Sequence, residues 1–444
     1  MADAVQLHVG IDDTDSPAGG CTTFLASLMV EVLIREFGAR FTDYPLLVRL
    51  NPNIPWKTRG NGAVCLRMEV PRGDVDGLKK RLVEMVEKHS DMRAPDTDPA
   101  IAFLEGDRVG DGFRRFYEEA LRKVVPMDRA LAFARQAGCE VRTYKTDKGV
   151  VGCLAAIGSH LDGDFTYELI SYRSREHWGK KRMFDASSVL AMDASSRGTF
   201  NNVDPETGRI LIAPHGKDPV LLGIRGEDPA AVLGAFRALR ILEPVERWTI
   251  FRSNQGTDAH LPPFPKAVSS IEPFESACIE GSVSSYPRRI QGGHAIFSVR
   301  DETGELECAA YEPTGGFRDV VSNLVPGDRV RAYGGIRLLE DGRKTLNLEK
   351  IEVIELGHVF IHVPPTCPRC GIKCKSSGLR QGYRCVKCGA WLGGKKAIAC
   401  RREIEVGTFL PPPRAHRHLT KPLCRYGIPG KRPPAGPAEP WHMP

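Results

Sequence analysis

The sequence predicts a multidomain α+β protein with an α/β-type domain, a ferredoxin-like domain, an OB-fold β-barrel and a C-terminal zinc ribbon, in that order. Three observations support this fold class. Strand and helix patterns alternate through the first 265 of the 444 residues, which suffice for several hydrophobic cores. Five short strand patterns follow one another between Ser276 and Leu356. Two Cys-x2-Cys pairs then lie close together. We place the domains at residues 1–139, 140–265, 266–358 and 359–444.

The first domain carries an aspartate cluster between a strand and a helix. Leu7, Val9 and Ile11 alternate as in a half-buried strand, and Phe24–Phe37 is apolar at helical spacing up to Gly38. The polar residues between these two elements are Asp12, Asp13, Asp15, Thr22 and Thr23. Carboxylates suit Mg²⁺, and a helix N-terminus favours phosphate. The pattern predicts a phosphoryl-transfer (kinase-like) domain with a hydroxyl acceptor; the alternative is a surface turn in which Asp side chains cap the backbone and Thr22 is the N-cap.

A basic, Gly-rich loop follows at Trp56–Gly62. No Walker A motif is present, so phosphates would have to be bound in another way. Lys57 and Arg59 could neutralise phosphate charge, and Asn61 lies between two glycines that permit close backbone approach. The alternative is a basic surface turn.

The second domain has the order of a split βαββαβ unit. The predicted strands and helices are Glu140–Thr146, Val150–His160, Phe165–Tyr172, Pro219–Arg225, Pro229–Leu239 and Pro244–Arg252. The segment Arg173–Lys217 is too long for an idle connection and predicts a functional insertion.

A polar segment follows the last of these strands. Its candidate substrate-binding residues are Asn254, Gln255, Thr257 and His260. Amide side chains at a strand end can read base edges or position a substrate. The alternative is a polar loop that leads into a Pro-rich linker.

The strand pattern of the third domain, with a helix at Phe317–Asn323 after the third strand, predicts an OB-fold. Such a barrel offers a surface for single-stranded nucleic acid. Four aromatic residues could stack on bases or belong to the core: Tyr286, Phe297, Tyr311 and Tyr333.

The fourth domain contains a predicted structural zinc site. Fourteen residues separate the two cysteine pairs, whose members are Cys367, Cys370, Cys385 and Cys388. Four thiolates can surround Zn²⁺ tetrahedrally; the alternative is a redox-active pair. The chain has thirteen cysteines in all, an odd number, and nothing indicates secretion, so a disulfide framework is not expected.

The charge is distributed unevenly. Residues 359–444 carry 16 Lys and Arg against 3 Glu, a net charge of +13, so the total of +7 leaves −6 for the other 358 residues. This asymmetry predicts that the C-terminal end binds a polyanion. We expect Gly427–Pro444 to be a disordered tail. No stretch approaches the roughly 20 apolar residues of a membrane span, so a cytoplasmic protein is expected.

Six segments, in order along nearly the whole chain, resemble the archaeal tRNA agmatinylcytidine synthetases (agmatidine synthases). They are GIDDTDSPAGGCTTFL, NPNIPWKTRGNGAV, TFNN, APHGKDPVLLGIRGE, FRSNQGTDAHL and HRHLTKPL. Any one of them would be weak, whereas six in sequence are specific.

The resemblance implies an ATP-dependent carbon–nitrogen ligase whose partners are agmatine and the isoleucine tRNA with a CAU anticodon. ATP would phosphorylate O2 of the wobble cytidine, and agmatine would displace the phosphate, so that the tRNA decodes AUA. It also implies autophosphorylation, which the motif match assigns to Thr22, with Thr23 as the alternative. The implied cofactors are ATP, Mg²⁺ and structural Zn²⁺, and no obligate protein partner is evident.

Agmatine is a dication, so its pocket should offer carboxylates and an aromatic face. The candidates in the second domain are Tyr167, Glu168, Asp185, Asp193 and Asp204. A non-catalytic single-stranded nucleic-acid-binding protein with an OB-fold and a zinc ribbon is the alternative to the enzyme.

Overall fold

The computed structural model describes residues 3–16, 19–57 and 60–444, so the predicted phosphate ligand Arg59 lies outside the described residues. The elements of the N-terminal part are β1 (Ala4–Asp12), α1 (Thr22–Phe37), β2 (Arg40–Phe41), β3 (Leu46–Arg49), β4 (Gly62–Pro71), α2 (Val75–His89), β5 (Ala100–Glu105), α3 (Asp111–Ala120), α4 (Met127–Gln136), β6 (Glu140–Thr143) and α5 (Val150–Gly158). The next elements are β7 (Thr166–Arg173), α6 (Ala186–Ser195), β8 (Thr199–Phe200), β9 (Val220–Gly226), α7 (Pro229–Arg237) and β10 (Val245–Ser253).

These two parts share one sheet, with the strand order β6-β5-β1-β4-β3-β10-β7-β9-β8. The junction is the parallel pair of β3 and β10, where Leu46 and Leu47 lie beside Arg252 and Ser253. The alternation in β1 suggests a strand that is buried on one face, but the structure buries both faces. His8, which alternates with Leu7 and Val9, is only 3% exposed. The helix α1 ends at Gly38, as predicted, in a left-handed conformation (φ 59°).

The first strand of the predicted βαββαβ unit does not pair with the other strands of that unit, so this part of the prediction is wrong. The strand β6 pairs with β5 at the far edge of the sheet and does not join β7, β9 and β10. The helix α5 packs on β1, because Gly10 has no side chain: a Cβ there would lie 2.4 Å from the Cys153 carbonyl oxygen. The predicted order of strands and helices along the chain is therefore right. The first strand and the first helix of the predicted unit, however, belong to the N-terminal part of the structure.

The third domain is a closed barrel, which confirms the OB-fold. Its elements are β11 (Ser276–Val283), β12 (Arg288–Arg289), β13 (Ala295–Arg300), β14 (Glu305–Ala310), α8 (Phe317–Ser322), β15 (Arg329–Leu338) and β16 (Lys344–Glu355). The order β11-β15-β16-β14-β13 closes through pairing of β13 with β11, and α8 follows the third long strand as predicted. Of the four aromatic candidates, Phe297 and Tyr333 are buried whereas Tyr286 is 70% exposed. Burial excludes Phe297 and Tyr333 as open stacking surfaces.

The zinc ribbon leaves the barrel and returns to it at one place. Its strands are β17 (Phe360–Val363), β18 (Lys375–Ser376), β19 (Tyr383–Arg384), β20 (Trp391–Leu392) and β21 (Lys396–Ala399). The strands β17 and β21 pair, and the Cys400 N–H donates to the Val359 carbonyl at 2.8 Å. Residues 359–402, which we call the ribbon, thus form an excursion with adjacent ends.

Residues 403–444, which we call the strap, fold back over the body. Its strands are β22 (Gly407–Phe409), which pairs with β16, and β23 (His442–Met443), which pairs with β10. Trp441 is 3% exposed and packs against Phe41 and Tyr44. The expectation of a disordered Gly427–Pro444 tail is therefore wrong, because it ignored this apolar anchor. Among the described residues, no helix is long and apolar enough to span a membrane.

Candidate active site

The aspartate cluster lies where β1 ends below the first turn of α5. Asp13 adopts a left-handed conformation (φ 52°), and its Oδ2 lies 3.4 Å from the Lys148 Nζ. Asp12 is half-buried and packs against Gly152, where a Cβ would lie 1.8 Å from the Asp12 Oδ2. Burial first, and then the negative charge of Asp13, raise the pKa of Asp12 well above its usual range. A cation beside these carboxylates would relieve that repulsion.

Thr22 is bonded to the same cluster. Its N–H and its hydroxyl both donate to the Asp15 Oδ1, at 2.6 and 3.1 Å, and its hydroxyl accepts from the Thr14 hydroxyl at 3.0 Å. The Thr23 hydroxyl instead lies 3.0 Å from the Cys21 Sγ. The N-cap of α1 is Cys21, so the alternative role of Thr22 as N-cap is wrong.

A cavity of about 220 Å³, which we call the aspartate cavity, opens beside the cluster. Its polar lining includes Asp12, Asp13, Asp15, Thr22, Lys57, Asn61, Lys123 and Lys148, and its apolar lining includes Leu50, Ile54, Trp56, Val125 and Met127. Lys57 lies at this cavity but donates to the carbonyls of Pro52 and Ile54 at 2.8 and 3.0 Å. Burial, followed by the charge of Arg417, lowers the pKa of Lys57. The Asn61 Nδ2 donates to the Asn51 carbonyl at 2.8 Å.

Sequence reasoning missed Lys148. It lies on the turn before α5, about 135 residues from the aspartates it faces, and no local pattern connects the two segments. Recognising that α5 packs on β1 would have placed it, because the glycines at 149 and 152 mark a close approach.

A second cavity, of about 280 Å³, lies on the other side of Thr22. We call it the glutamate cavity; its lining includes Asp15, Thr22, Thr23, Arg49, Gly62, Glu168, Asp218, Arg225 and His418. Asp15, Thr22 and Gly62 line both cavities. The two spaces therefore meet at the threonine hydroxyl and its carboxylate partner.

A buried polar network forms the wall of the glutamate cavity. Glu168 accepts from the Arg225 Nε at 3.3 Å and from the Gln255 Nε2, and the Gln255 Oε1 lies 3.1 Å from the His418 Nδ1. The charge of Arg49, followed by burial and the charge of Arg225, lowers the pKa of His418 well below its usual range. His418 is therefore a neutral imidazole at neutral pH, and it belongs to the strap.

The four predicted substrate-binding residues are all bonded to protein groups; Asn254, Gln255 and His260 are buried, and Thr257 is half-buried. Asn254 exchanges two 2.8 Å hydrogen bonds with the backbone of Arg49, the Thr257 hydroxyl donates to the Asn254 carbonyl at 2.6 Å, and the His260 Nε2 lies 2.9 Å from the Glu349 Oε2. Two of them contact residues that line the glutamate cavity: Asn254 through the backbone of Arg49, and Gln255 through Glu168 and His418. Their role in contacting a base stays a prediction.

Of the five carboxylate and aromatic candidates for agmatine, the structure places only Glu168 on the glutamate cavity. Tyr167 packs against Tyr44 and Phe165. Asp185 caps α6, Asp193 accepts from Asn202, and the buried Asp204 pairs with Arg414, as their hydrogen bonds indicate. Asp218, which the sequence did not single out, lines the same cavity as Glu168.

The four predicted cysteine ligands converge in the ribbon. The sulfur atoms of Cys367, Cys370, Cys385 and Cys388 all lie within 4.8 Å of one another. This spacing and this donor set fit one tetrahedral Zn²⁺. The ribbon has few other buried side chains, so the metal would supply much of its folding energy.

Comparison with known proteins bears on the identity of these domains. Family models match residues 8–146 (TiaS TCKD domain), 147–260 (TiaS FLD domain), 277–354 (OB-fold nucleic acid binding domain) and 364–404 (TiaS C-terminal zinc ribbon domain). TiaS from Pyrococcus horikoshii, a 2-agmatinylcytidine synthetase for isoleucine tRNA, is 43% identical over 421 residues, covering 94% of this chain and 96% of the relative. The chain belongs to the TiaS family. A TiaS from Methanosarcina mazei is 40% identical, with 94% of this chain and 97% of the relative covered.

Solved structures of the TiaS family match the whole fold. A complex of TiaS with its isoleucine tRNA and ATP superposes with a TM-score of 0.86 at 38% identity, covering 96% of this chain and 99% of the other. A complex of TiaS with the same tRNA, AMPCPP and agmatine gives a TM-score of 0.83 at 35% identity, with the same coverage. Those relatives thus bind isoleucine tRNA, ATP and, in the second complex, an ATP analogue together with agmatine.

Proposed function

We propose that this chain is an ATP-dependent tRNA-modifying ligase that conjugates agmatine to C2 of the wobble cytidine in the isoleucine tRNA with a CAU anticodon. The product is agmatidine, which lets the tRNA decode AUA. The observation that carries the proposal is the junction of two cavities at Thr22 and Asp15, in a chain whose full length matches the TiaS family.

We assign ATP to the aspartate cavity. Its apolar lining suits a nucleobase, and its carboxylates suit Mg²⁺ shared with the phosphates. Asp12 and Asp13 would hold the ion, which offsets the repulsion that raises the pKa of Asp12. Lys148, which faces Asp13, and Lys123, which is paired with Glu272, add positive charge at the same lining, and the Lys57 ammonium is bonded to two carbonyls.

We assign phosphoryl acceptance to Thr22 rather than Thr23. The Thr22 hydroxyl donates to the Asp15 Oδ1, which can take its proton as the oxygen attacks phosphorus. The Thr23 hydroxyl contacts a thiol and lines only the glutamate cavity. Autophosphorylation on Thr22 therefore needs no rearrangement of its hydrogen bonds.

We assign agmatine and the extruded cytidine to the glutamate cavity. Glu168 and Asp218 offer carboxylates to a dication there, which would share them with their arginine partners Arg225 and Arg182. Gln255 and His418 act as positioning residues for Glu168. The cytidine O2 attacks the terminal phosphorus of ATP, and the P–O bond to the rest of the nucleotide breaks, so that this fragment leaves with its oxygen. The new O2–P bond turns O2 into a leaving group. The primary amine of agmatine then attacks C2, the C2–O2 bond breaks, phosphate leaves with O2, and the amine loses one proton.

The test is to incubate the protein with ATP, Mg²⁺, agmatine and the CAU-anticodon isoleucine tRNA, then digest the RNA and weigh its nucleosides. We expect a cytidine that has gained the mass of agmatine less water. Glu168→Gln should raise the agmatine concentration needed for half-maximal rate, whereas Glu176→Gln, on an exposed turn, should not. Unmodified RNA that is bound tightly without ATP consumption would favour the alternative, a non-catalytic nucleic-acid-binding protein.

A further inference from the structure

The positive charge of the C-terminal region divides sharply between the strap and the ribbon. Five of the six basic residues of the strap form ion pairs with acids of the body: Arg414, Arg417, Lys421, Arg425 and Lys431. The ribbon has ten Lys and Arg and no Asp or Glu. Within the part of the chain that the structure describes, Arg402 is the one member of those ten with an ion pair, to Asp328. The charge available to a polyanion therefore lies on the ribbon.

The ribbon also exposes an aromatic side chain in the middle of this charge. Trp391 on β20 is 61% exposed, and it lies opposite Arg384 on β19. The Arg384 guanidinium lies 5.6 Å from the Trp391 ring centroid. One face of the ring thus lies beside a cation, whereas most of the indole remains open to solvent. A partner that covered the indole would release water from its apolar surface.

We propose that Trp391, with Arg384, forms a stacking platform for an unpaired base of the bound tRNA. The inference rests on the proposed function, since it names a contact to the same RNA. An exposed indole inside a surface of cations without acids fits a nucleotide, which has a flat π face and an attached phosphate. An acidic protein partner would match the charge but would not require the open aromatic face.

The test measures binding of the full-length, zinc-loaded protein to three RNAs at fixed salt: the tRNA transcript, a single-stranded RNA and a fully paired duplex. Trp391→Ala should weaken binding of the tRNA and of the single strand about tenfold, because one base–aromatic stack is lost. Binding of the duplex should stay within twofold of wild type. Trp391→Phe should restore most of the loss, since a smaller aromatic ring still stacks.

Two controls separate stacking from charge and from folding. Phe264→Ala removes an aromatic side chain that is 77% exposed in the linker before the barrel, and it should leave all three affinities unchanged. Arg384→Gln should weaken binding and also lower the salt dependence, whereas Trp391→Ala should not alter the salt slope. Zinc content, measured for every variant, identifies a misfolded ribbon. If Trp391→Ala has lost its zinc, the comparison of Trp391→Phe with wild type shows whether an aromatic ring at this position supports RNA binding.

Three results would overturn the platform. These are equal affinity of wild type and Trp391→Ala for tRNA and single strand, equal loss for duplex and single strand, and no recovery with Trp391→Phe in a zinc-loaded protein. Failure of the proposed function is a separate observation: wild-type protein would then form no agmatidine, whatever the affinities of the variants.

Discussion

Replacing Gly152 with alanine should inactivate the enzyme without unfolding it. A Cβ at this position would lie 1.8 Å from the Asp12 Oδ2, and real Cβ atoms essentially never lie within 3.0 Å of a heavy atom outside their own and the adjacent residues. The carboxylate must therefore move by at least the difference, 3.0 − 1.8, or about 1.2 Å. Because Asp12 stands at the end of β1 beside Asp13, that movement displaces its carboxylate from the proposed cation site.

Two opposing effects determine how Gly152→Ala changes the free energy of unfolding. Overpacking costs about 1–3 kcal/mol, and alanine recovers about 1 kcal/mol of helix propensity relative to glycine. The free energy of unfolding should fall by about 0–2 kcal/mol, whereas a shift of about 1 Å at a catalytic group costs roughly 100-fold in rate.

The assay is agmatidine formation under single-turnover conditions, paired with thermal unfolding. Gly234→Ala on α7 is the matched control, because a Cβ there meets nothing within 4 Å. It should stabilise the protein by about 0.5–1 kcal/mol and leave the rate unchanged. Wild-type activity in Gly152→Ala would refute the argument that Asp12 must keep its position.

Three further predictions concern the carboxylate, the threonine and the C-terminus. Because the pKa of Asp12 is raised in the folded protein, its contribution to stability is complete below about pH 4 and is lost as pH rises through the raised value. Asp12→Asn should therefore stabilise the Mg²⁺-free protein at pH 7 but not at pH 4 in denaturant titrations, and it should abolish turnover; equal stability of both proteins at pH 7 would contradict the shift. Thr22→Val should abolish tRNA-independent labelling of the protein by γ-labelled ATP, whereas Thr23→Val should retain it; the opposite pattern would assign Thr23. Internal deletion of residues 360–399 should weaken tRNA binding roughly 10-fold or more. It should keep γ-phosphate labelling, because Val359 and Cys400 are hydrogen-bonded to each other and can be joined directly. Truncation after Arg402 should lose both tRNA binding and labelling. Retained labelling in the truncated protein would show that the strap is dispensable for the site.

Local patterns predicted well whatever depends on neighbouring residues. The β1 strand, the α1 helix with its stop at Gly38, the barrel with its single helix and the four-cysteine site all follow from periodicity and short spacing. The domains themselves could be named because each pattern is complete within its own segment.

Long-range pairing could not be predicted in the same way. The strand β6 is four residues long and pairs at the far edge of the sheet, and nothing in Glu140–Thr143 distinguishes that edge from a central position. Lys148 reaches Asp13 because α5 lies on β1. Both errors come from one source: local patterns specify strands and helices, but not which distant elements they pack or pair with, such as α5 on Gly10 and β6 on β5.

The strap shows why a charge count alone is too coarse to locate a polyanion site within the C-terminal region. A net charge of +13 on residues 359–444 suggested one basic tail, but the structure divides it into a neutralised part and a free part. Arg425 is buried between Asp164 and Glu227, so its charge stabilises the closure of the strap over the body and is not available to RNA. That closure brings His418 into the wall of the glutamate cavity, so the last part of the chain completes a site whose aspartates lie near its beginning. Because the ribbon is an excursion with adjacent ends, its removal need not displace the strap. If the ribbon binds the RNA as we propose, the fold separates that binding from the geometry of the chemistry, although both depend on the same basic segment of sequence.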